Sequence, residues 1–163
     1  GYTFDGWYID EACTIAKTEI SKGSTGAITL YAKWIANTYT VKFDANGGSG
    51  EMEDMNFTYD VEQILTSNVF ICENYVFAGW ATSADGPVVY DDKAIVKNLA
   101  SNPNNPVQLY AVWEIIQCNV TFIVDGKVYA VVTVDYGTPT EEVIADVVDA
   151  NLYNVEEQSL PLE

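Results

Sequence analysis

Carboxylates dominate the chemistry available to this chain, and they stand almost alone. It carries 24 Asp and Glu, seven lysines, no arginine and no histidine, for a formal charge of −17. Without histidine there is no imidazole base, no Ser-His-Asp or Cys-His nucleophile and no histidine zinc ligand. Without arginine there is no planar two-pronged clamp for phosphate or carboxylate. Paired acids are the remaining route to catalysis, as in glycoside hydrolysis, but that chemistry needs a cleft to hold the sugar. No stretch of the chain reads as a domain large enough to form one. The expectation is no catalytic residues, no cofactor-binding residues and no cofactor.

Metal sites are weighed on the same residues. Asp44-Ala45-Asn46-Gly47-Gly48 begins like a calcium loop. An EF-hand requires Gly at its sixth position and Glu at its twelfth. Here those positions hold Ser49 and Met55, so the loop fails. Asp91-Asp92 and Asp146 with Asp149 are alternatives for calcium, and the commoner reading is a solvated acidic surface. No metal site is expected. The run Asn46-Gly47-Gly48-Ser49-Gly50 lacks the Lys-Ser/Thr of a phosphate loop and reads as a turn. Cys13, Cys72 and Cys118 form no CxxC pair. They read as free thiols buried as small hydrophobes, with one disulfide as the alternative.

The charge excludes further classes. A net −17 repels phosphate backbones and anionic membrane surfaces. No apolar run reaches the roughly 18–20 residues of a membrane span. Neither nucleic acid nor membrane insertion is expected. No signal peptide is read at the start, as fits an internal stretch of a longer chain.

The positions of these residues follow from an internal repeat. Residues 2–7 read YTFDGW and residues 75–80 read YVFAGW, 73 positions apart. Residues 30–34 read LYAKW and residues 109–113 read LYAVW, 79 positions apart. All four tryptophans (Trp7, Trp34, Trp80 and Trp113) lie in these motifs. At the same offset of 79, Tyr39–Phe43 is answered by Cys118–Phe122. A period this long exceeds solenoid repeats and suits small tandem domains. The organisation read from it is a C-terminal half-unit at 1–37, a complete unit at 38–114 and a hairpin plus helix at 115–163. The last is a partial repeat or the start of a divergent domain. The links at 35–38 and 114–117 are short, which favours a fixed orientation of neighbouring units.

Each unit reads as strand, strand, helix, strand, strand. Tyr39, Val41 and Phe43 alternate with Thr40, Lys42 and Asp44, and a second strand follows over 52–59. Asp125-Gly126 between Val120–Val124 and Lys127–Val134 is a two-residue hairpin signal. Thr138-Pro139-Thr140-Glu141 reads as a capped helix start, with Val143, Ile144, Val147 and Val148 on one face. Asp60 and Gln63 predict a shorter helix in the middle unit, ending near Ser67-Asn68. The tryptophans are expected in the core between sheet and helix.

YTVKFDANGG, YVFAGWATSADG and LYAVW, with YTFDGWYIDEAC and LYAKW, closely resemble the Listeria–Bacteroides repeat, the module known from the B-repeat of internalins. The resemblance covers nearly all of residues 1–114. It implies an α+β fold of tandem ubiquitin-like β-grasp modules, β-rich, with a mixed sheet and one helix per unit. It also implies a non-catalytic extracellular module at a bacterial cell surface or cell wall, acting as stalk or spacer and in adhesion. The alternatives are a carbohydrate- or host-protein-binding module using Tyr8, Tyr90 or Tyr153, or an accessory domain of a large secreted enzyme. The partners expected are neighbouring repeats of the same polypeptide and a host protein or glycan. The half-units leave apolar faces without partners, so they are expected to pack against the middle unit or to complement one another between molecules.

Overall fold

The strands form where apolar residues alternate, and the turns form where Asn, Asp and Gly accept positive φ. In a computed structural model, residues 1–144 are described; Asp146, Val147, Val148, Asp149 and Tyr153 lie outside them. Among the described residues ten strands run in the order β1 (Tyr2–Tyr8), β2 (Tyr31–Ala36), β3 (Thr38–Asp44), β4 (Met55–Thr58), β5 (Gln63–Ile64), β6 (Tyr75–Ala81), β7 (Ile95–Val96), β8 (Val107–Ile115), β9 (Gln117–Val124) and β10 (Lys127–Asp135). A helix, α1, begins at 140 and is described to 144. The fold is β-rich. The chain divides into two compact units, one of residues 1–71 and 77–112, the other of 72–76 and 113–163.

The first unit is built on a mixed four-stranded sheet of order β4-β3-β8-β6. β3 runs antiparallel to β4 and parallel to β8, with Val41 opposite Val107 and Phe43 opposite Leu109. The inward face of β3 is the one its alternation foretells: Tyr39 and Val41 are buried, beside Phe57, Leu65, Trp80, Leu109 and Ala111. Tyr39 stacks on Phe57 at 5.9 Å, and its hydroxyl accepts from the Leu99 amide at 3.1 Å. Burying a side chain of this size contributes about 1.5–3 kcal/mol. The β3 turn also forms as expected, with Asn46 at φ 46° and Gly47 at φ 93°.

The helix expected after β4 is absent, and residues 59 to 70 form a turn, the two-residue β5 and irregular chain, with Leu65 and Phe70 buried. Asp60 sits at φ 62°, which a helix N-cap does not adopt. Gln63 does not reach back to cap a helix. Its Oε1 accepts from the Thr58 amide at 2.7 Å, and its backbone pairs with Val96 in the small β5–β7 sheet. The physical reason is the pattern: Ile64 and Leu65 are adjacent and define no helical stripe. As a strand they part, leaving Leu65 buried and Ile64 exposed.

The same unit carries the β1–β2 hairpin as a separate two-stranded sheet. One end of it is joined to the middle repeat, while its Phe4, Trp7 and Trp34 side chains stay exposed. The Asn37 amide donates to the Gly1 carbonyl and the Tyr59 amide to the Asn37 carbonyl, each at 2.9 Å. Tyr2 meets the Tyr59 ring edge-on at 5.6 Å.

In the second unit β9 and β10 form an antiparallel hairpin closed by Asp125 (φ 50°) and Gly126 (φ 76°), as read from the sequence. α1 follows, with Val143 buried. The expected capping box is not formed. The Thr138 hydroxyl donates to the Asp135 carbonyl at 2.8 Å, and the Pro139 carbonyl accepts the first helical bond, from Val143.

Candidate interaction surface

Of the acids weighed for metal binding, Asp92 and Asp44 hold loops, and Asp146 and Asp149 lie outside the described residues. Asp92 accepts from the Asn68 amide at 2.8 Å and from the Ser67 hydroxyl at 3.1 Å. Asp44 accepts from the Asn46 amide, and the Asn46 side chain then donates to the Ala84 and Ala111 carbonyls at 2.8 and 2.9 Å. Asp10 accepts from the Thr14 and Ile15 amides, which hold its carboxyl below the usual range. Among the described residues no group of three or more Asp, Glu or Cys is placed to hold a metal ion.

Asp60 has a clear structural task. It accepts from the Asn98 side chain at 2.8 Å and from the Tyr2 hydroxyl at 2.7 Å, with Lys97 Nζ at 3.7 Å. Asn98 and Tyr2, in that order, lower its pKa, and Lys97 adds to the effect. The carboxylate therefore ties the first hairpin to the middle repeat.

Of the aromatics named for the alternative binding reading, Tyr8 and Tyr90 are half-buried and Tyr153 lies outside the described residues. Tyr8 donates to Asp5 at 2.6 Å, and Lys33 Nζ lies 4.9 Å over its ring. Tyr90 is half-buried, and its backbone pairs with Trp80. The cysteines also differ from expectation. All three are free thiols, but Cys118 is exposed and Cys13 and Cys72 are half-buried, because each sits at a loop or at the start of the exposed β9 ribbon.

The prominent surface is one assigned in advance to the core. Phe4, Trp7 and Trp34 gather on the β1–β2 hairpin, with Phe4 5.5 Å from Trp7 and 5.3 Å from Trp34. A bulge at Asp5 brings positions 4 and 7 to one face, where simple alternation would separate them. The three side chains remain 43%, 48% and 58% exposed. Their equivalents in the middle repeat behave differently. Trp80 is fully buried against Phe43, Phe70 and Phe77, and Trp113 is half-buried. The second unit shows an open apolar groove of about 330 Å³ lined by Cys118, Val120, Phe122, Val134, Tyr136 and Val143.

Taken with the repeated motifs, this architecture defines a class of tandem β-rich modules. The family model of the Listeria-Bacteroides repeat domain matches residues 1–33 and 39–112, and the chain belongs to that family. The chain is 33% identical over 148 residues to a protein of Evansella cellulosilytica named as a membrane protein, covering 87% of this chain and 20% of that one. It is 34% identical over 130 residues to one named as a Gly-rich membrane protein of the same organism, covering 77% and 14%. It is 33% identical over 94 residues to Internalin H of Listeria monocytogenes, covering 56% and 16%. The chain thus spans a fifth or less of the length of these relatives. No solved structure matches it significantly. Among the described residues no helix is long and apolar enough to cross a membrane.

Proposed function

We infer that this chain is a non-catalytic spacer segment of a bacterial surface protein, one that holds neighbouring repeats in fixed relation outside the cell. The observation that carries this is the stapled junction between the first hairpin and the middle repeat. Asn37, Tyr59, Tyr2 and Asp60 lock it through backbone and side-chain bonds. Such a junction transmits orientation along a tandem array, whereas a flexible linker would lose it. The relatives' names support a surface location. The three-part organisation 1–37, 38–114 and 115–163 goes with this reading.

The middle repeat is a β-grasp module in this reading. Its support is the sheet order β4-β3-β8-β6, in which the first strand lies central and parallel to the last. The segment from 59 to 70, a turn followed by β5 and irregular chain, takes the place of the usual helix.

Small-angle scattering of the full chain and of the Asp60→Asn and Tyr2→Phe variants tests the spacer. A stiff array gives a single well-defined pair-distance distribution, broadened in both variants. An equally broad distribution in the unaltered chain would remove the spacer reading. The exposed Phe4–Trp7–Trp34 face favours one competing reading, a carbohydrate- or host-protein-binding module. Glycan arrays and host-protein pulldowns separate the two, since a pure spacer captures nothing. Turnover of polysaccharides or esters would overturn the non-catalytic assignment.

A further inference from the structure

Asn46-Gly47 is the one Asn-Gly pair of the chain, and such a pair carries a chemistry of its own. The Gly47 backbone nitrogen can attack Cγ of the Asn46 side chain. A new N–Cγ bond closes a five-membered imide and the Cγ–Nδ2 bond breaks. Nδ2 leaves as ammonia, and the Gly47 nitrogen gives up its proton. Water then adds to either imide carbonyl and opens the ring, leaving aspartate or isoaspartate. One water is consumed and one ammonia released. Glycine favours the attack, because it has no side chain to shield its nitrogen and the freest backbone to bring it into place.

The fold works against this path at both reacting groups. Residues 45–48 form a tight turn of the I′ kind. Asn46 and Gly47 both have positive φ, and the Gly48 amide donates to the Ala45 carbonyl at 2.9 Å. The Asn46 backbone amide donates to Asp44 Oδ1 at 2.8 Å. The backbone on either side of the Gly47 nitrogen is therefore held. The side chain is held as well. The β3–β8 ladder ends with Asp44 opposite Tyr110, and Asn46 Nδ2 takes the next carbonyl along β8, that of Ala111, at 2.9 Å. Nδ2 also donates to the Ala84 carbonyl at 2.8 Å, so one amide group ties the end of β3 to β8 and to the loop after β6. Expelling Nδ2 breaks both bonds, and the rotation that brings Cγ to the Gly47 nitrogen first requires the turn to open.

We propose that Asn46-Gly47 is a self-modification site gated by folding. The closed unit preserves the asparagine, an opened unit converts it, and conversion destabilises the closed state. The last step follows from the bonding. An aspartate at this position has no donor, and its carboxylate stands against two carbonyl oxygens that have each lost a partner. One of them belongs to the fully buried Ala111. Isoaspartate lengthens the main chain by one atom within the turn and displaces the Gly48–Ala45 bond. A unit that stays open is thereby retired irreversibly. The proposal rests on this turn and is independent of the spacer reading.

Peptide mapping by mass spectrometry reads the gate, on the full chain incubated in mildly alkaline buffer across a urea series. Conversion at Asn46 should run at least about tenfold faster in the unfolded chain and should follow the unfolded fraction through the transition. Equal rates in folded and unfolded chain overturn the proposal. Asp44→Ala removes the acceptor of the Asn46 backbone amide and should raise the folded-state rate severalfold. Near-UV circular dichroism of the Trp80 core checks that this variant folds, and an unchanged rate in the folded variant also overturns the gate. The urea series needs no variant and decides the matter if Asp44→Ala does not fold. The lock is tested on chain converted in urea and returned to buffer. It should unfold at lower urea than unconverted chain taken through the same cycle, and Asn46→Asp should reproduce the loss. An unchanged midpoint in either overturns the proposal.

Discussion

The motif Tyr-x-Phe-x-Gly-Trp occurs twice, and its two copies share a local structure while living in different surroundings. In both, Phe and Trp three residues apart meet edge-on, at 5.5 Å in Phe4–Trp7 and 4.9 Å in Phe77–Trp80. In both, the intervening glycine is at strongly positive φ, 154° at Gly6 and 148° at Gly79. Yet Trp7 is 48% exposed and Trp80 is sealed. Short-range sequence sets the glycine conformation and the ring pair. What covers the pair comes from elsewhere in the chain, from Phe43 and Phe70 at Trp80.

The largest expected effect sharpens this contrast directly. Trp80→Ala should destabilise the first unit by about 3–5 kcal/mol, as large-to-small core substitutions do. Trp7→Ala should cost under about 1 kcal/mol in the monomer, in keeping with a surface site. Denaturant unfolding measures both, and equal losses would break the comparison. Trp80 has a further peculiarity: its buried indole N–H has no partner among the described residues. An unsatisfied buried donor costs about 1–3 kcal/mol, so Trp80→Phe should be much milder than Trp80→Ala.

The glycines come next. A Cβ at Gly79 would lie 2.5 Å from Val88 Cγ1 and 2.8 Å from the Tyr90 carbonyl, whereas one at Gly6 meets nothing nearer than 3.8 Å. Gly79→Ala should therefore combine backbone strain with overpacking and cost about 2–4 kcal/mol. Gly6→Ala bears the backbone strain alone, about 1–2 kcal/mol. Thermal unfolding of the two variants tests the ranking.

Smaller effects are expected at the junction. Tyr2→Phe removes the hydroxyl bound to Asp60 and should speed amide exchange at Asn37 and Tyr59 while leaving β3 and β8 protected. The same contact responds to acid. Asp60 titrates below its ordinary range when folded, so its contribution is present above the unfolded value near ~3.9 and fades as pH falls through the lower folded value. Tyr2 and Tyr59 ring resonances should report that loosening, and Asp60→Asn should abolish its pH dependence.

Much of this was legible from residue types. Alternation at Tyr39–Phe43 marked β3 and its buried face, Asp125-Gly126 marked the last hairpin, and the repeated motifs marked the family. The helix read at 60–68 was a failure of local reasoning. Asp60 and Gln63 have the spacing of a cap, but that spacing serves equally to bind Asn98 and the edge of β4, and only the completed sheet decides between the two. The cysteines and the Phe4–Trp7–Trp34 face were misplaced for a related reason: burial belongs to the surroundings of a residue and not to its type.

The sequence by itself determined the longer strands, the turns, the repeated Phe-x-Gly-Trp spacing and the lack of histidine and arginine chemistry, because these depend on side chains within a few residues of one another. The tertiary structure alone decided which copy of each tryptophan is core and where Asp60 binds. Those outcomes depend on strands brought together from positions as distant as 41 and 107, and no local pattern encodes whether such a neighbour is present.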